Sequence, residues 1–150
     1  MNVGAGNSEI SEKLYFQGFT SITNIDYSRE VVSSMLKRYS ELNCKIEYLE
    51  MDMKKLVFED NKFDVVLDLG GSDCLLCSRN PLGDYRIFIQ EVYRVLKGKG
   101  LYIRISLFKD IVKYDLNQYI DNNKFVLVET LTTEMKGDRI FIFDKKSQEK

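Results

Sequence analysis

Phe63-Asp64-Val65-Val66-Leu67-Asp68-Leu69 decides the fold. Its centre, Val65-Val66-Leu67, is apolar, which is the pattern of a strand covered on both faces. Helical spacing surrounds it. Upstream, Ser28 is a natural N-cap for a helix whose Val31, Val32, Met35, Leu36 and Tyr39 recur at three and four residues. Two strands flank that helix, over residues 21–26 and 45–51, the second alternating Ile46 and Tyr48 with charged residues. A turn over residues 4–8 opens a helix over 9–16, closed near Gly18. Downstream, residues 84–97 predict a helix with Tyr85, Phe88, Val92, Val95 and Leu96 inward, stopped by Gly98-Lys99-Gly100. Residues 101–107 return as a buried strand, and a short helix follows near 114–122. Strands over 124–132 and 139–144 then form a hairpin around Lys136-Gly137-Asp138. The alternation implies an α/β fold: a Rossmann-like, doubly wound, mainly parallel sheet ending in an antiparallel hairpin. Ligands on such sheets bind at the carboxyl ends of the strands.

With 150 residues, one proline and no linker or repeat, the chain reads as one domain over residues 1–150. A net charge of −1 and scattered basic residues, apart from short runs such as 97–99, give no footprint for nucleic acid. No apolar run approaches the ~20 residues of a membrane span, and the N-terminus shows no apolar signal-peptide core. Three cysteines do not make a disulfide framework, and a reducing, cytoplasmic setting is expected. Cys74 and Cys77 form a C-x-x-C pair. With no histidine and only Cys44 besides, they fall short of a zinc site, so no metal is expected and they read as small, semi-buried thiols.

The loop Val3-Gly4-Ala5-Gly6-Asn7-Ser8 has the glycines that a backbone needs to turn tightly against a ligand. Asp26 lies 20 residues after Gly6 at a strand end, where a carboxylate can accept both hydroxyls of a ribose. Nicotinamide enzymes share that arrangement. Two features favour S-adenosylmethionine instead: Glu9 stands where a dinucleotide fingerprint has its third glycine, and the terminal hairpin is foreign to purely parallel dinucleotide folds. Glu50-Met51-Asp52-Met53 closes the third strand. There Asp52 can accept the adenine amino group, and Met53 can offer an N–H and apolar contact.

Val3-Gly4-Ala5-Gly6-Asn7-Ser8-Glu9-Ile10-Ser11, Ile22-Thr23-Asn24-Ile25-Asp26, the 47–53 segment, the 63–76 segment and Glu91-Val92-Tyr93-Arg94-Val95-Leu96 together resemble the seven-strand methyltransferases. More narrowly, they are similar to the group that includes lysine methyltransferases of eukaryotic elongation factor 1A. The resemblance implies cofactor contacts from Gly4, Ala5, Gly6 and Asn7, from Asp26 and Tyr27 at the ribose, from Asp52 and Met53 at the adenine, and from Leu69 and Gly70 near the methionine end. It also implies a protein lysine as acceptor and adenosylhomocysteine as product. Asp68, Gly70, Asp73 and Leu75 match the family's D-K-G-T-L-D-A-L segment, while Leu69 replaces its lysine and Gly71-Ser72 its Thr-Leu. Family members carry a full first strand before the glycine loop. Here only Met1-Asn2-Val3 precede it, so the first strand is expected to be largely missing, leaving an exposed sheet region open to self-association.

Methyl transfer is an in-line displacement that needs no covalent enzyme intermediate. The protein's task is to position the partners and exclude water. Asp68 and Asp73 are the candidate catalytic carboxylates to orient a neutral lysine, with Tyr102 or Phe108 as candidate walls. A non-catalytic scaffold that keeps the fold, and a small-molecule methyltransferase, are the alternatives. Glu12-Lys13-Leu14-Tyr15-Phe16-Gln17-Gly18 also looks like a tobacco etch virus protease site, but it continues the first helix in frame and reads as native.

Overall fold

The computed structural model describes residues 1–106, 124–132 and 139–146. In chain order these form β1 (Asn2–Val3), α1 (Ile10–Phe16), β2 (Thr23–Asp26), α2 (Arg29–Glu41), β3 (Glu47–Glu50), β4 (Phe63–Leu69), a 3-10 helix (Ser72–Cys77), α3 (Pro81–Val95), β5 (Leu96–Ser106), β6 (Phe125–Thr132) and β7 (Arg139–Lys145). One seven-stranded sheet runs β3-β2-β1-β4-β5-β7-β6. The first five strands are mutually parallel, and β7 pairs antiparallel with both β5 and β6. The fold expected from the sequence is the one observed. The helix expected near 114–122, Phe108 and the turn at 136–138 lie outside the described residues.

Met1, Asn2 and Val3 reach further than their number suggests. Asn2 and Val3 sit between β2 and β4, in register with Asn24 and Ile25 on one side and Leu67 and Asp68 on the other. The Met1 nitrogen donates to the Val65 carbonyl at 2.8 Å, and its carbonyl accepts from Leu67 N at 2.8 Å. The slot is therefore occupied at the end that carries the glycine loop, and that end is the one that builds the site.

Two apolar clusters fix the layers. Val66, Tyr102 and Phe143 from the sheet pack under Tyr85, Phe88, Ile89 and Val92 of α3. Val32, Met35 and Tyr39 of α2 cover Ile46 and Tyr48. Each fully buried apolar side chain is worth roughly 1.5–3 kcal/mol. Ser28 caps α2 as expected, accepting from Val31 N. Leu36 does not join the buried face; it is exposed, and Val32, Met35 and Tyr39, with Val31 packed beside them, form the stripe against the sheet. Ser11 Oγ donates to Asn24 Oδ1 and Asn24 Nδ2 donates to the Tyr39 hydroxyl, so a buried polar chain links α1, β2 and α2.

Glycine does not end α3. The helix stops at Val95, and Leu96 already pairs with Phe63; residues 97–100 then bulge out before Leu101 meets Val65. Residues 52–62 form a loop without helix. Arg94 on α3 holds it by donating to the Leu56 and Phe58 carbonyls and to Asp60.

Candidate functional site

The glycine loop leaves β1 with left-handed backbone at Gly4 (φ +56) and Gly6 (φ +55). A β-carbon at Gly4 would lie 2.7 Å from the Gly71 Cα, so the loops after β1 and β4 touch backbone to backbone. One at Gly71 would lie 2.7 Å from the Val3 carbonyl oxygen, so the residue replacing the family's threonine is held to glycine here. Gly6 differs: nothing lies within 4 Å of its β-carbon position, and this face of the loop is open.

The Gly6 peptide is pinned from both sides. Its N–H donates to Asp26 Oδ2 at 2.8 Å, and its carbonyl accepts from the Tyr48 hydroxyl at 2.6 Å. Asp26 Oδ1 accepts from Ser28 N at 2.9 Å, which fixes the carboxylate at the end of β2. Each carboxylate oxygen keeps a second lone pair for a ribose hydroxyl. Tyr48 alternates with charged residues along β3 and also reaches the glycine loop; an aromatic hydroxyl two residues before the end of β3 is the sequence signal for that contact. Burial and the nearby Asp26 charge push its phenol upward, so it stays protonated and able to donate. Ala5 is buried with its N–H on the Ile25 carbonyl, Asn7 is exposed, and Tyr27 stands in solvent beside Asp26.

On the adenine side, Asp52 Oδ1 accepts from Lys54 N at 2.8 Å, and its second oxygen makes no hydrogen bond among the described residues. The Met53 methyl lies 3.1 Å from the Gly4 β-carbon position. Gly4, Gly6, Asp26, Asp52 and Met53 thus converge at the carboxyl ends of β1, β2 and β3. An open glycine backbone between two strand-end carboxylates fits a neutral nucleoside carrying a cation, and the residues present suit adenosylmethionine.

Glu9, at the position of the missing third glycine, stands at the head of α1. Its carboxylate turns outward to Arg38 at 3.0 Å and Lys13 at 3.7 Å, and these cations hold it below the usual carboxylate range. Its charge is taken up by Arg38 on α2 and Lys13 on α1.

The two candidate catalytic carboxylates part company. Asp68 is fully buried. It accepts from Ser72 N at 3.0 Å, from Ser72 Oγ, and from the Tyr102 hydroxyl at 2.8 Å, and it lies 3.7 Å from Arg104 Nε. Its carboxylate has no exposed surface and ties the start of the 3-10 helix to β4. Tyr102, expected as a wall, is equally buried in the core. Asp73 lies at the rim, with 12% of its side chain exposed; Oδ1 accepts from Arg104 Nη2 and from Ser106 Oγ, both at 2.8 Å. Leu69 is half-buried, and Gly70 turns the chain with φ +86.

Arg104 is the residue that sequence reasoning missed. It is wholly buried, sits opposite Asp68 in register, and lies 5.3 Å from the Tyr85 ring centroid. A charged residue at an inward position of Leu101-Tyr102-Ile103-Arg104-Ile105 was the available signal. Burial alone would favour a neutral guanidine, but Tyr85, Tyr102, Asp68 and Asp73 outweigh it and hold Arg104 charged.

Comparison with known proteins gives the family. A family model described as a methyltransferase domain matches residues 1–104. The "eEF1A lysine and N-terminal methyltransferase" of Bos taurus is 41% identical over 107 residues, which is 70% of this chain and 15% of that protein. The "EEF1A lysine methyltransferase 4" of Bos taurus is 33% identical over 69% of this chain and 44% of its own length. The chain thus spans well under two thirds of these relatives. Among solved structures, a SAM-dependent methyltransferase from Methanosarcina mazei superposes with a TM-score of 0.75 at 18% identity, covering 98% of this chain and 92% of its own. The magnesium protoporphyrin IX methyltransferase from Synechocystis, solved with SAM bound, gives 0.75 at 18% identity over 97% of this chain and 68% of its own. The strand order, the pinned glycine loop and these matches agree: the chain belongs to the methyltransferase domain family.

Proposed function

We propose that residues 1–150 act as one domain that transfers a methyl group from S-adenosylmethionine to a lysine side chain of a protein. The observation that carries this reading is the Gly6 peptide, fixed by Asp26 and Tyr48 with its outer face open. When bound, the cofactor would supply an electrophilic methyl group on a sulfonium sulfur: a neutral amine would take the methyl, the sulfur would leave within adenosylhomocysteine, and the amine would shed a proton. The chain's residues do the positioning. Asp26 accepts the ribose hydroxyls, Tyr27 flanks them, Asp52 and Met53 receive the adenine, and the backbone of Gly4, Ala5, Gly6, Asn7, Leu69 and Gly70 lines the remainder. Asp73, at the rim, orients the acceptor amine, and buried Asp68 holds Ser72 and so the start of the 3-10 helix. Among the described residues no helix is long and apolar enough to cross a membrane.

The relatives' names carry elongation factor 1A, which makes it the first acceptor to try. Calorimetric titration with adenosylhomocysteine should show saturable binding, lost or weakened in Asp26→Ala. Incubation with isotopically labelled donor should then place label on a lysine of a protein acceptor, located by peptide mass spectrometry. Absence of binding would favour a non-catalytic scaffold. Label appearing only in small molecules would overturn the protein acceptor.

A further inference from the structure

Cys74 and Cys77 stand exposed on the 3-10 helix Ser72–Cys77. The intervening positions have other partners. Ser72 is buried on Asp68, Asp73 holds Arg104, and Leu75 and Leu76 pack against the core. That phase turns residues 74 and 77 outward together, which corrects the expectation of semi-buried thiols. In a 3-10 helix, side chains three residues apart eclipse, and a rise of ~2.0 Å per residue puts their Cα atoms about 6 Å apart. A disulfide spans Cα separations of roughly 4.4–6.8 Å. Cysteine is ordinarily among the most buried residue types, so packing gives no reason for two exposed ones a single turn apart. Among the described residues no group of three or more His, Cys, Asp or Glu is placed to hold a metal.

We propose that Cys74 and Cys77 form a thiol–disulfide site that exchanges with low-molecular-weight disulfides such as glutathione disulfide. The thiolate of one cysteine attacks a sulfur of the disulfide, forming a mixed disulfide and releasing one glutathione thiolate, which takes up a proton. The second cysteine's thiolate attacks the protein sulfur of that mixed disulfide and releases the other glutathione. The protein loses two hydrogens and two electrons, and the disulfide gains them as two thiols. Cys44 stays apart, buried under α2 with its thiol pushed upward by that burial. The bond would staple the segment that begins with Asp73, at the rim of the strand ends, and its formation does not depend on methyl transfer.

The test uses the full chain, reduced, then exposed to glutathione disulfide at mildly alkaline pH, quenched with acid and read by intact mass and peptide mapping. The expected product has lost two hydrogens, carries no glutathione, and yields a linked peptide joining Cys74 to Cys77, with Cys44 still free. Cys74→Ser and Cys77→Ser should each instead trap one glutathione. Wild-type protein that accumulates glutathione on both cysteines without an internal bond, or that keeps both thiols free, would overturn the proposal.

Discussion

Replacing Arg104 with methionine keeps most of the bulk at an inward position of β5 and deletes the charge. In the native protein the guanidinium is fully buried, 2.8 Å from Asp73 and 3.7 Å from Asp68. Removing one partner of a buried ion pair costs about 3–5 kcal/mol, mostly for the charge left behind. Asp68 bears most of this, since Asp73 keeps some contact with water. Burial already lifts the Asp68 carboxyl above its usual range, against the pull of Arg104 and the bonds from Ser72 and Tyr102. Without Arg104 it rises further. Between the unfolded and folded values the native state then holds a proton that the unfolded chain has released, so stability falls as pH rises through that window and returns as pH is lowered. Each pH unit of that gap is about 1.4 kcal/mol. Urea unfolding of Arg104→Met at about pH 7 should show the loss of about 3–5 kcal/mol, and at about pH 5 a smaller one. Adding Asp68→Asn should recover most of the loss at neutral pH, because asparagine still bonds Ser72 and carries no charge. A loss below about 1 kcal/mol, the size of an exposed pair, would refute the reasoning. So would an equal loss at both pH values, or a double variant no better than the single one.

Asp26→Ala should weaken adenosylhomocysteine binding by about 10- to 150-fold in calorimetry, from roughly 1.5–3 kcal/mol of charge-assisted bonding; it should also lower the melting temperature, since Gly6 N and Ser28 N lose their acceptor. Asp26→Asn should be milder in both. Gly4→Ala and Gly6→Ala should separate folding from binding. Each pays about 1–2 kcal/mol for left-handed backbone, but only Gly4→Ala also collides with Gly71 and should unfold at markedly lower urea, whereas Gly6→Ala should fold and bind ligand poorly. Tobacco etch virus protease should leave the native chain intact, because Glu12 is buried against Arg38 and Tyr15 lies within α1; cleavage after Gln17 should appear only as denaturant opens that helix. Rapid cutting of native protein would mean that α1 opens freely.

The sheet was legible because its strands announce themselves locally. Phe63–Leu69 was bounded to the residue by its own apolar centre. The glycine loop and Asp26 were legible for the same reason, since their spacing is short and their residue types are restrictive. The burial of Asp68 was not legible, because nothing near it in sequence says what closes over it. Tyr102 and Arg104 lie more than thirty residues away and meet it only through the β4–β5 register. Leu36 fits the helical stripe as well as Met35 does, and only the width of the facing sheet excludes it. The 3-10 helix left no periodic trace over six residues, so the C-x-x-C pair was visible while its exposure was not.

The contact between Gly4 and Gly71 has a mechanical consequence. Two loops that meet with no side chain between them have nothing compressible to absorb a relative shift, so the end of β1 and the start of the 3-10 helix travel as one rigid piece. Any change in the tilt of the nucleoside-facing loop is carried directly to Asp73 at the rim. Substitution has no room at that junction, where a β-carbon on either glycine would collide.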